Sequence, residues 1–267
     1  MSRTIALLGK ELTDLRQNLT IFLPSFIVTI IAVLMPVFVA VVVPLVSGER
    51  LSDSSDLEIA LEMYKQDPAM RGLDPEAAIQ AYVFQYFLVM LVLGPVTSAM
   101  SVAAFSVVGE KQARTLEPLL VTPITTLELL GAKVLGALLP ALALSVVSMV
   151  LYLGVIALVA HAGVFSVLFG VRTFGIIFLL GPLAGMVALQ LAICVSSRVN
   201  DARTAQQLGV FVILPIPALL VGQLLGIMQL TTPVIVAITI VLVLANAALM
   251  WFAIRLFDRE TILTRWK

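Results

Sequence analysis

The sequence predicts an all-α membrane protein: six transmembrane helices, an N-terminal amphipathic interfacial helix and short helices in a cytoplasmic loop. Three observations predict it. Of 267 residues, 61% are hydrophobic and 12% charged, against roughly half and a quarter in soluble domains. Six apolar runs are long enough to cross a bilayer, and Lys and Arg concentrate on alternate connections between them. Residues 1–267 read as a single transmembrane domain.

Residues 1–20 place Ile5, Leu8, Leu12, Leu15 and Leu19 at helical spacing, with Arg3, Lys10, Asp14 and Gln17 on another face, the pattern of a helix lying on a membrane. The first span, 21–46, carries Pro24, Pro36 and Pro44 in or beside it. A membrane helix tolerates these where neighbours satisfy the freed carbonyls, so this span is expected to be kinked and packed inside a bundle. No small-residue cleavage site precedes Val46, so the span is expected to be retained.

Residues 47–78 form an extracytoplasmic loop with eight acids (Glu49, Asp53, Asp56, Glu58, Glu62, Asp67, Asp74 and Glu76) against Arg50, Lys65 and Arg71. Within it Leu57, Ala60, Leu61 and Tyr64 recur as a helix face. Asp74 followed by Pro75 suits an N-cap and first turn. The second span is 79–108, but a helix from Pro75 to Val108 would be about 50 Å long, so its start should project from the bilayer. Gly94-Pro95 is the place for a kink. After the polar 109–133 loop come spans 134–160, 173–195, 205–228 and 233–254, then a basic tail, 255–267.

Cytoplasmic loops retain Lys and Arg, so their count sets the orientation. The N-terminus, the 109–133 loop, the 196–204 loop and the tail hold 3, 3, 2 and 4; the opposite connections hold 3, 1 and 0. Both termini and the 109–133 loop are therefore expected in the cytoplasm of a multi-pass cell-membrane protein. Net charge is zero, which gives no basic bias toward nucleic acid.

No Asp, Glu, Lys or Arg lies mid-span, which disfavours an ion-coupled carrier built on buried relays. There is no G-x-x-x-x-G-K-[ST] phosphate loop, so energy from ATP would have to come from a separate subunit. One cysteine, Cys194, and one histidine, His161, are too few for a closed zinc site or an intrachain disulfide. Ser145, Ser148, Ser196 and Ser197 read as helix-packing residues, and the pairs Gly181/Gly185 and Gly222/Gly226 suit close helix contact.

The 109–133 loop has its own helix signals: Thr122 with Pro123, then Thr125 with Glu128 in a capping-box pattern, so a short helix starts here and leads into the third span. Leu116, Leu119 and Leu120 give an earlier short helix an apolar side. Glu110, Lys111, Thr115, Leu116, Glu117, Leu119, Leu120, Thr122, Pro123, Glu128, Gly131 and Lys133 match the pattern E-[KR]-x-x-G-T-L-E-x-L-L-x-[TS]-P, then an acid and G-x-K. Here the chain resembles the permease subunits of type-two ATP-binding-cassette exporters. Arg114 stands where that pattern has glycine.

The resemblance covers nearly the whole chain. It implies that the loop docks into a groove on an ATP-binding-cassette ATPase subunit, through Glu110, Lys111, Arg114, Thr115, Leu116, Glu117, Leu120, Thr122, Pro123, Glu128 and Lys133. It further implies a second permease, identical or not, with the export route between the two and lipid around them. This chain would need no cofactor and perform no catalysis; ATP and Mg would sit on the partner ATPase. The rival expectations are an ion-coupled secondary transporter and a non-transporting membrane anchor of a cytoplasmic complex.

Overall fold

A computed structural model describes residues 3–48, 51, 72–112, 125–196, 207, 211 and 213–256. Among these there is no strand, and five helical stretches are long and apolar enough to cross a membrane: Leu19–Ser47, Pro75–Ser106, Glu128–Val159, Val171–Val195 and Thr232–Arg255. The chain is an all-α membrane protein. Within the expected 205–228 span the described residues 207, 211 and 213 are helical and Pro215–Leu224 forms a continuous helix, after which Gly226 at φ 68° turns the chain.

The helices are α1 (Arg3–Gln17), α2 (Leu23–Val37), α3 (Val43–Ser47), α4 (Pro75–Phe87), α5 (Leu93–Gln112), α6 (Thr126–Val159), α7 (Val164–Leu168), α8 (Val171–Gly175), α9 (Gly181–Ser196), α10 (Pro215–Leu224) and α11 (Thr232–Leu256). The stretch through α4 and α5 is the hub, 83% buried over its most apolar window, whereas that of α11 is 11% buried. The start of α4 is packed inside the protein: Ala78, Ile79 and Ala81 are fully buried. Asp74 is the residue before α4 and Pro75 its first, as expected, but the Asp74 side chain makes no cap hydrogen bond. Glu76 instead accepts from the Leu51 backbone N–H at 2.9 Å, tying α4 to residue 51.

Prolines explain where the long helices become irregular. A proline lacks the N–H that bonds the carbonyl four residues earlier, and its ring crowds that carbonyl. Phe38–Val42 is a π-helical turn before Pro44, Leu88–Val92 a 3-10 turn before Pro95, and Ile176–Leu180 a π-helical turn before Pro182. The expected irregularity at Gly94-Pro95 thus falls one turn earlier, on the residues whose bonding Pro95 disrupts.

Side chains of neighbouring helices satisfy two of the carbonyls left open, as a lipid environment demands. Gln80 Nε2 donates to Ala40 O, the carbonyl Pro44 cannot reach, at 3.4 Å. In the 3-10 switch the Leu88 N–H turns to Gln85 O, and the buried Tyr152 hydroxyl donates to Phe84 O.

Small residues set the closest helix contacts. Gly185 lies where a Cβ would meet Ala99 Cβ and Pro95 O at 3.7 Å, so of the Gly181/Gly185 pair it is Gly185 that sits in the α5–α9 contact, while Gly181 faces Val92. Gly222 and Gly226 do not work this way, because Gly226 ends the segment with its positive φ. Gly94 is tighter still: a Cβ there would overlap Thr29 Oγ1, whose hydroxyl is buried and donates to Ser25 O at 2.8 Å. Gly94→Ala is therefore expected to destabilise the bundle by about 1–3 kcal/mol, the usual cost of overpacking. Adding Thr29→Ala should recover much of it, as read by thermal unfolding of the purified protein.

Candidate functional site

The 109–133 loop hangs from two stems, the end of α5 and the start of α6. Glu110 and Lys111 lie on the last turn of α5, where only the backbone is described; Arg114, Thr115, Leu116, Glu117, Leu120, Thr122 and Pro123 lie outside the described residues. The second stem begins with a complete capping box. Glu128 N donates to Thr125 Oγ1 at 3.2 Å and Thr125 N donates to Glu128 Oε2 at 2.8 Å. The helix it starts is not a separate short one: α6 runs 34 residues without a break, about 50 Å, past Pro140. Any displacement of the loop's second half is thus applied to a rigid rod.

Two turns into that rod, Lys133 is 4% exposed. Its ammonium donates to Glu11 Oε1 at 3.0 Å and to Ser106 Oγ at 2.7 Å, and the Ser106 hydroxyl donates to Glu11 Oε2 at 2.8 Å. The three side chains close a ring joining α1, the α5 stem and the α6 stem. Among the residues expected at the ATPase contact, Lys133 therefore faces into the bundle.

The ring also shows which side of α1 meets the bundle. Its buried face is Leu7, Glu11 and Leu15, spaced four apart, while Ile5, Leu12 and Leu19 of the expected stripe stay exposed. Gly136, one turn beyond Lys133, admits the Glu11 stem: a Cβ there would lie 3.0 Å from Glu11 Cβ. The sequence signal was an acid between two leucines on one helical face, and a glycine three residues after a lysine.

At the opposite end of the bundle, His161 N and Nδ1 approach Gln80 Oε1 at 2.7 and 3.0 Å. Arg172, expected in a connection, sits in α8 and donates to Gln85 Oε1 at 3.0 Å. Deeper in the bundle Gln190 Nε2 donates to Asn246 Oδ1 at 3.1 Å, and Asn246 Nδ2 donates to Leu183 O and Leu242 O, binding α9 to α11. Ser145 and Ser148 are fully buried and donate to carbonyls of their own helix, consistent with packing rather than nucleophilic use.

Five apolar helical stretches among the described residues, two of them joined through the capped and hydrogen-bonded stems of the 109–133 loop, define a multi-pass membrane protein. The model of the ABC-2 family transporter proteins matches residues 66–256, which includes the loop, and the chain belongs to that family. It is thus an ABC-type permease component, in a family partnered by ATP-binding-cassette ATPases. The match leaves out α1 and the stretch Leu19–Ser47. No curated protein and no solved structure matches the chain.

Proposed function

We propose that the chain is one of two permease halves of an ATP-driven exporter, embedded in the cell membrane with both termini in the cytoplasm. Residues 205–228 complete a sixth span, and α1 lies on the cytoplasmic surface. The substrate path runs between the two permeases, and each 109–133 loop docks on an ATPase subunit that holds ATP and Mg. Family membership over 66–256 carries this reading, because the matched region contains the loop and its E-K…T-L-E…T-P sequence. The stems support it physically: a capped, unbroken α6 and an α5 continuous with the buried hub can deliver a push at the loop to the centre of the bundle.

Orientation is the first requirement. In a chain lacking Cys194, a cysteine at Ser55 should react with a membrane-impermeant thiol reagent added outside intact cells, and one at Gln112 only after the membrane is opened. The reverse pattern would falsify the docking of the loop on a cytoplasmic ATPase. Transport in vesicles should also stop with vanadate; vanadate-resistant transport driven by an ion gradient would indicate a carrier instead.

A further inference from the structure

The ring of Glu11, Lys133 and Ser106 is set apart by its position. It joins both stems of the 109–133 loop to a helix that precedes the family-matched region. Helix α1 packs along α6, but between α1 and the end of α5 lies a cleft of about 570 Å³ lined by Lys10, Glu11, Asp14, Phe105, Ser106 and Gly109 among others. The Ser106–Glu11 hydrogen bond bridges that cleft. Helix α1 then continues through the 3-10 turn Leu19–Phe22 into α2, so whatever moves α1 also pulls on the first span.

We propose that Glu11, Lys133 and Ser106 are positioning residues that lock α1 to both stems, making α1 and the loop one mechanical unit that carries ATPase-driven motion to the first span. This rests on the exporter reading above. Apolar side chains alone would hold the helices together yet permit sliding, since dispersion contacts have little directionality. Three directed hydrogen bonds between an ammonium, a hydroxyl and a carboxylate fix register as well as contact. Gly136 is the matching accommodation on α6, because a side chain there would push Glu11 away from Lys133.

The test uses the permease in complex with its ATPase, with Cys194 replaced by Ala and spin labels at Gly9→Cys and Gly109→Cys, positions where an added Cβ meets nothing within 4 Å. The α1-to-α5 distance should be the same in the nucleotide-free and vanadate-trapped states of the otherwise unaltered chain. In Glu11→Met/Lys133→Met it should shift by several ångström and broaden on trapping, with ATP hydrolysis retained. Ser106→Ala, which leaves the ion pair intact, should loosen the same distance, and the exchange Glu11→Lys/Lys133→Glu should restore it. A distance that changes in the unaltered ring, or stays fixed in both Glu11→Met/Lys133→Met and Ser106→Ala, overturns the proposal while leaving the exporter reading intact. Failure of the unaltered chain to co-purify with an ATPase overturns both.

Discussion

Lys133→Ala is expected to destabilise the folded chain by about 3–5 kcal/mol, because it strands the Glu11 carboxylate in a buried site. The Glu11 side chain is 9% exposed and that of Lys133 3%, so water cannot take over the lost contacts without the helices parting. The double replacement Glu11→Met/Lys133→Met should cost far less, since two apolar side chains of similar length leave no unpaired charge. Lys10→Ala is the internal control: the Lys10–Asp14 pair is 3.9 Å apart with side chains 40% and 59% exposed, and such pairs contribute about 0–1 kcal/mol. Unfolding of each variant in lipid nanodiscs reads the order directly. Equal losses for Lys133→Ala and Lys10→Ala would mean that the ring is not a buried pair in the membrane.

Glu117→Lys is expected to abolish productive association with the ATPase while leaving the permease inserted and folded. Glu117 lies in the polar loop, so reversing its charge should leave span burial unchanged. If its carboxylate meets basic groups on the partner, the reversal creates like-charge contact, a cost of several kcal/mol and hence more than tenfold in affinity. Co-purification with the ATPase and transport in vesicles measure the effect against Glu58→Lys, the same reversal in the extracytoplasmic loop. Glu128→Ala should combine a coupling defect with loss of the cap on α6, about 0.5–2 kcal/mol. Wild-type co-purification and transport by Glu117→Lys would remove that residue from the contact.

The parts of this architecture legible in the sequence are those fixed by local chemistry. Long apolar runs give spans by length alone, Asp74-Pro75 marks the start of α4, and Thr125 with Glu128 gives the capping box atom for atom. Prolines forecast that carbonyls would need partners, but not that Gln80 and Tyr152 would supply them from other helices. The Glu11–Lys133 pair joins residues 122 positions apart, and no periodicity within either helix reveals a partner on the other. The side of α1 that meets the bundle was hidden for the same reason: Leu7, Glu11 and Leu15 are buried, while Ile5, Leu12 and Leu19 of the apolar stripe stay exposed. In the 205–228 stretch the apolar run was legible, but not the turn at Gly226, whose φ of 68° follows the helix Pro215–Leu224.

A photoreactive amino acid in place of Glu117 tests most directly whether this permease is driven by an ATPase docked on its 109–133 loop. On illumination of intact membranes the account predicts a crosslink to a subunit that carries an ATP-binding phosphate loop and hydrolyses ATP, with no such crosslink from the same probe at Glu58. A probe at Glu117 that yields no ATPase adduct in membranes where the ATPase is present, or a probe at Glu58 that does, would contradict it.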